Sequence, residues 1–491
     1  MKRSRKLEIL AVIAFFSLGT VIFTYPLIFR LSNQLVGQLG DNIYFVWMIG
    51  WFKKAIFTLG VDPLDIWFLN YPEGWNLAYT EITPAMLALA MPFALAGGPT
   101  FGYNCAMLLS FVLSGLGMYL WVRDLTKSPP AALVAGAAFA FLPFRVAHFL
   151  IGHLNLVGTM WFPLFFWGFF KLLRQEERFD VPSAILTGIM LGLIGLTSQY
   201  YLYMTVLIAG FIGLVYMVFI ERRAWRSRRF WLQWILAGAV ALPLLTIAVA
   251  PYAALTQEGG LPDRDLGSVR QFAASANPTD YLIPATDHFL FGRWVSQTFA
   301  RDYWIEQTLT IGWGVMILGF LPWFARGARD WRRLLILMLA GGSLAMTLSF
   351  GLDLHWNEQR VIVPVPSFAQ DLLGVEEAPI PLPGLLMFKF LPFFAKLRAF
   401  SRFGIFVLIF SCAAAGMGAA WLLARIRPRW RVWSAVFLLL MVLFEAYPGP
   451  YRRFAAVQPR LVDTWLAQQP GEGAVIQFPF TMGEDQEQIY N

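Results

Sequence analysis

The chain has 491 residues, 58% of them hydrophobic and only 14% charged, with 38 Lys and Arg against 30 Asp and Glu for a net charge of +8. A soluble globular protein carries about 25% charged residues, so this composition excludes an ordinary soluble fold. The basic residues gather at the ends of apolar runs, which membrane topology explains and nucleic-acid binding does not require, and two cysteines, Cys105 and Cys412, are too few for a disulfide framework or a tetrahedral metal site.

Lys2, Arg3, Arg5 and Lys6 precede an apolar run with no small-residue cleavage site, the pattern of a signal anchor. A membrane span needs about 20 predominantly apolar residues. That criterion predicts an all-α polytopic protein with about eleven spans, at 8–29, 101–122, 131–149, 156–172, 182–200, 202–220, 231–254, 308–325, 334–350, 403–424 and 432–448. Segment 43–59 is interrupted by Lys53 and Lys54, and segment 84–97 is short and holds Pro92, so both are expected to be interfacial or re-entrant.

Basic residues in short loops set orientation. With the N-terminus inside, segments 1–6, 123–130, 171–181, 221–230, 326–333 and 425–431 face the cytoplasm and hold 22 of the 38 basic residues, against 7 of the 30 acids on that side. Every short basic loop agrees with this one threading. The expected location is a plasma (inner) membrane, with loops 30–100, 255–307 and 351–402 and the tail 449–491 on the outer side. Residues 1–448 read as one transmembrane domain. The tail, with a strand-like run at 473–480, reads as the start of an extracytoplasmic domain that continues past residue 491.

Ionisable residues at the membrane edge are functional candidates. Asp41, in Gly40-Asp41-Asn42, opens the amphipathic segment of the first outer loop. It reads either as a helix cap or as a general base that takes a proton from a hydroxyl. Arg145 and His148 share a helix face near His153 and Asn155. They read as interfacial hydrogen-bonding groups or as donors to an anionic head group. Two His five apart on a helix are a poor metal pair, so a divalent metal has weak support. Gln199, Tyr200, Tyr201 and Tyr203 fit an aromatic belt. Loop 255–307 carries Asp263, Arg264, Asp265, Asp280, Asp287, His288 and Arg301. Lys389, Lys396, Arg398 and Arg402 lie on the outer side against the positive-inside bias. They either snorkel to lipid phosphates or hold the phosphate of a lipid-linked substrate. No phosphate-cradling Gly loop or nucleophile elbow is present.

The pattern resembles the GT-C superfamily of membrane glycosyltransferases, and within it the bacterial GT-C-like proteins with a C-terminal outer domain. One span is followed by a long outer loop opening with Gly40-Asp41. Interfacial segments and Tyr71-Pro72-Glu73-Gly74 come next, and a second long loop follows the seventh span. Gly152-His153-Leu154-Asn155 and Leu397-Arg398-Ala399-Phe400-Ser401-Arg402-Phe403 are similar to motifs of these proteins. The resemblance implies transfer of a sugar from a polyprenyl-phosphate donor to an envelope glycan, lipid or protein acceptor on the outer face. It makes Asp41 the catalytic base. Asn42 stands where many members have a second acid, which leaves Glu81 and Asp65 as the nearest substitutes for a metal ligand. Arg145, His148, His153, Asn155, Glu81, Lys396, Arg398 and Arg402 are the expected substrate-binding residues. The alternative is a non-enzymatic transporter or flippase of lipid-linked saccharides, a class that usually shows paired repeats; none is visible here.

Overall fold

The computed structural model describes residues 2–174, 179–257, 262–272, 274–325, 329–368, 370, 374–470, 473 and 475. The basic loops 171–181 and 326–333 are therefore described only in part. The strand-like run 473–480 falls outside the described residues except for Gly473 and Val475.

The chain is predominantly helical and is a multi-pass membrane protein. Among the described residues, seven helical stretches are long and apolar enough to cross a membrane: Arg5–Phe23, Pro99–Thr126, Pro129–Ile151, Gln199–Ile220, Arg228–Gln257, Trp331–Ser349 and Phe400–Arg425. The other four expected spans are also helical. Three are shorter apolar helices, Trp161–Leu173, Val181–Thr197 and Trp313–Phe324. The fourth is Pro428–Ala446, whose first turn carries Arg429 and Arg431. Leu10, Leu18 and Ile22 on the first helix, Ile235, Leu242 and Ile247 on Arg228–Gln257, and Phe437 and Leu440 on Pro428–Ala446 are exposed. In water each would forgo about 1.5–3 kcal/mol of burial; facing lipid they do not.

We label the first six helices α1 (Lys2–Phe23), α2 (Asp41–Lys54), α3 (Pro84–Gly97), α4 (Pro99–Thr126), α5 (Pro129–Ala140) and α6 (Pro143–Ile151). Small residues let the central helices approach closely, as is usual where lipid supplies no hydrophobic drive between helices. A Cβ added at Gly416, on the helix Gly404–Arg425, would sit 2.5 Å from a Val122 methyl of α4 and 2.8 Å from the Ala135 Cβ of α5. The segment expected as one span at 131–149 is two helices. The break falls at Phe141-Leu142, ahead of Pro143 at the first turn of α6, where a missing N–H is tolerated. Segment 84–97 is the helix α3, joined to α4 through Gly98. It packs on α4 and on Val181–Thr197.

The two ends of the bundle differ in kind. At one, Glu8 accepts hydrogen bonds from the Tyr119 hydroxyl (2.6 Å) and Arg123 Nε (3.0 Å). Asp124 there receives Trp167 Nε1 (2.8 Å) and Lys171 (2.9 Å), so two of the segments expected in the cytoplasm, 123–130 and 171–181, meet beside the start of the first span. At the other end the long loops knit together. Ala274 N–H donates to the Arg398 carbonyl (2.9 Å) and Phe400 N–H to the Ala274 carbonyl (2.8 Å). After the last helix, strand Phe454–Ala456 pairs antiparallel with Gln34–Val36 of the first long loop.

Candidate active site

The loop end holds a cavity of about 390 Å3, within the roughly 300–1,000 Å3 usual for small-molecule sites. Its charged lining is Asp41, Glu81, Glu306, Arg398 and Arg402, with His153, Asn155, Tyr44 and Tyr303 beside them. Six residues expected from the sequence to bind or react with substrate thus line one cavity: Asp41, Glu81, His153, Asn155, Arg398 and Arg402.

Asp41 is the first residue of α2, and its side chain is 61% exposed. Its neighbour Asn42 is buried and holds the turn shut. Asn42 Oδ1 accepts from Gly40 N–H (2.9 Å) and Ile43 N–H (2.8 Å), and its amide donates to the Gln38 carbonyl (2.9 Å). The task of satisfying free N–H groups at this helix start falls to Asn42 and leaves the Asp41 carboxylate to the cavity. A second acid at position 42 would point into backbone, not into the cavity.

Gly152 brings His153 to Asp41. It ends α6 in the left-handed conformation, φ 90°, open to Gly without the Cβ penalty. A Cβ there would lie 2.3 Å from that of Asn42, so backbone packs on backbone at this point. The reversal folds His153 back over the helix. His153 Nε2 lies 3.0 Å from Asp41 Oδ2, and its Nδ1 lies 2.7 Å from His148 Nδ1. His148 Nε2 has no hydrogen-bond partner and faces Glu306 Oε2 at 3.9 Å. The assignment satisfying these contacts has His153 donating from Nε2 and accepting at Nδ1 from His148. The hydrogen bond from His153 lowers the pKa of the Asp41 carboxyl, against partial burial. The charges of Arg398 and Arg402 add to the effect.

Glu306 was not singled out from the sequence; its one signal there is an acid two residues ahead of the apolar run at 308. It forms a bidentate pair with Arg402, with Nε at 3.0 and 3.1 Å from the two carboxylate oxygens and Nη2 at 2.5 Å. Burial alone would raise this carboxyl, but the Arg402 guanidinium beside it holds it well below the usual carboxylate range. Arg402 Nη1 remains a buried donor with no partner, and the guanidinium lies 5.2 Å from the Tyr200 ring centroid. Arg398 is exposed. Its guanidinium makes no hydrogen bond or ion pair with any described residue. Glu81 accepts from Ser198 Oγ (3.0 Å).

Three expected residues lie elsewhere. Arg145 is fully buried. It donates to the Ala140 carbonyl (2.8 Å), Ser110 Oγ (3.0 Å) and the Val157 carbonyl (3.2 Å), and lies 4.6 Å from the Phe111 ring centroid. It caps the carbonyl left open where α5 breaks, which periodicity did not reveal because it implied one unbroken helix. His148 is buried behind His153. Lys396 pairs with Asp263 at 3.2 Å outside the cavity lining. Asp65 sits in the hairpin Asp65–Ile66/Trp75–Asn76, whose connecting loop 67–74 includes Tyr71-Pro72-Glu73-Gly74; neither reaches the cavity lining.

His148, His153 and Glu306 bring ligand-type atoms within 4.8 Å of one another, a grouping hidden from the sequence because α6 ends between the two histidines. Both Glu306 oxygens already serve Arg402, and the two Nδ1 atoms serve each other. A dication would compete with a guanidinium for the same carboxylate. These residues do not fit a resident divalent metal.

The model of a family described as a domain of unknown function (DUF6311) matches residues 11–377. No curated protein matches the chain. A solved structure similar to it is that of arabinofuranosyltransferase AftD from Mycobacteria, at 14% identity and a TM-score of 0.48 over 89% of this chain. The chain spans 26% of the length of that protein.

Proposed function

This chain belongs to the DUF6311 family, and from the geometry of its loop-end cavity we propose that it is a membrane glycosyltransferase moving a sugar from a polyprenyl-phosphate donor to an acceptor hydroxyl on the outer face of the plasma membrane. The observation that carries this reading is the shared lining of one cavity by the Asp41 carboxylate and by Arg398 and Arg402. A base and a phosphate-binding pair face the same space, at the end of an apolar bundle against which an isoprenoid tail can lie.

Each group has a task. Asp41, kept ionised by His153, takes the proton of the acceptor hydroxyl, which must come within about 3 Å or one water. The hydroxyl oxygen bonds to the anomeric carbon as the bond from that carbon to the phosphate oxygen breaks. Polyprenyl phosphate leaves with the electron pair. The charge gathering on it is met by Arg398 and by the unpartnered Nη1 of Arg402, fixed in place before the reaction. Glu306 holds Arg402 in position, and Glu81 and Asn155 are placed to hydrogen-bond the sugar hydroxyls. A flippase needs no base aimed at an acceptor, and a carboxylate sharing one cavity with Arg398 and Arg402 favours transfer.

The test is direct. Protein reconstituted in lipid is offered polyprenyl-phosphate sugars of several identities, with water or a mixed glycan extract as acceptor. The proposal expects release of polyprenyl phosphate from at least one donor. Movement of intact donor between leaflets without its consumption would establish the flippase instead.

A further inference from the structure

A second cavity, of about 370 Å3, shares the segment 299–306 with the first. Tyr303 and Glu306 line the Asp41 cavity, while Phe299, Arg301 and Trp304 line the other, so successive residues of one segment wall both spaces. Thr286, Asp287 and Ser296 complete the polar lining of the second.

Two buried polar atoms here lack partners, Asp287 Oδ2 and Arg301 Nη2. The Arg301 side chain is only 3% exposed. Its other nitrogens are used, Nε on Asp280 (3.2 Å) and Nη1 on the Pro284 carbonyl and Thr286 Oγ1 (both 3.3 Å). Buried polar groups are nearly always hydrogen-bonded in native proteins, and exceptions need an explanation. A ligand that both donates and accepts would satisfy the two atoms together.

The charge balance narrows the ligand. Asp280 neutralises Arg301, and Asp287 adds a further acid, whose carboxyl burial pushes up to about 6. A site without net positive charge does not select a phosphate or carboxylate. Trp304 and Phe299 supply apolar faces beside the donor and acceptor, and a few fixed polar groups among aromatic walls suit a ring with hydroxyls on its rim.

We propose that this second cavity binds a neutral saccharide and is the acceptor subsite, the assignment as acceptor resting on the glycosyltransferase reading above. An acceptor held against Trp304 would reach past the 299–306 segment toward Asp41, while the donor phosphate occupies the cationic side of the first cavity.

The experiment uses the full chain in lipid nanodiscs and saturation-transfer NMR. The probes are methyl glycosides of the common neutral hexoses and pentoses with their disaccharides, and glucose 1-phosphate as the anionic comparison. At least one neutral probe should bind without competition from glucose 1-phosphate. Trp304→Ala should weaken that binding by roughly tenfold or more. Ser296→Trp, at an exposed position that leaves the fold alone while filling the cavity, should do the same. Absence of binding by every neutral probe, preference for the phosphate, or survival of the signal in both cavity variants would overturn the proposal. A neutral saccharide that binds here while no donor is ever consumed would sink the transferase reading alone. Donor consumption without saccharide binding would sink this subsite alone.

Discussion

Glu306 and Arg402 stand 96 residues apart in the chain and meet as a bidentate ion pair in the lining of the cavity, their side chains 12% and 5% exposed. Removing one partner of a buried pair leaves the other charge unmatched, at a cost of about 3–5 kcal/mol. Glu306→Gln should therefore lower the melting temperature in detergent markedly, and a second change, Arg402→Gln, should restore part of the loss. An unaltered melting curve in Glu306→Gln would show that the pair does not hold the two loops.

Arg398 is the cation of the cavity with no protein partner. Arg398→Ala should raise the donor KM by roughly tenfold or more, the scale of a lost charge-assisted hydrogen bond of about 1.5–3 kcal/mol. Arg398→Lys should recover only part, because an ammonium lacks the planar fork. Because the side chain is exposed, folding should be unaffected. An unchanged donor KM in Arg398→Ala would leave the residue a lipid-surface anchor.

If Asp41 is the base proposed above, His153 should set the acid limb of activity. The Asp41 pKa is depressed in the folded protein, so the ionised base and its stabilising contact are present above the ordinary carboxyl pKa. They are lost only as the pH falls through the lower, folded value. His153→Phe removes the hydrogen bond, so the acid limb of kcat/KM should move to higher pH. A limb that stays where it was would mean that His153 does not tune Asp41.

Topology is open to labelling. Cys placed at Ser268, in the second long loop, should react with an impermeant reagent in intact cells, or in spheroplasts if an outer membrane intervenes. Cys at Ser227, in a basic loop, should react only after lysis. The opposite pattern would place the cavity in the cytoplasm and remove a lipid-linked outer-face donor from consideration.

Much of this arrangement was legible in the residues. Apolar run length located the helices, because a span must satisfy its backbone internally and therefore reads as one long stretch. Asp41, His153, Arg398 and Arg402 stood out because charge at a membrane edge needs a reason. Glu306 and the contact between His148 and His153 did not stand out. The first depends on two loops meeting at Ala274 and Arg398, and the second on the reversal at Gly152, which helical spacing treats as absent. The task of Arg145 is hidden for a related cause. Its donors serve Ala140 and Val157 at a helix break that hydrophobicity alone reads as a single span.

The most direct test of the account is the transfer rate of Asp41→Asn in the reconstituted assay. Asparagine keeps the size and the capping ability of the residue, and Asn42 already secures the helix start, so the melting temperature should barely move. What is lost is the negative charge and with it the base. The account predicts near-complete loss of sugar transfer while the donor still binds. A folded Asp41→Asn protein that transfers sugar at the wild-type rate would contradict it.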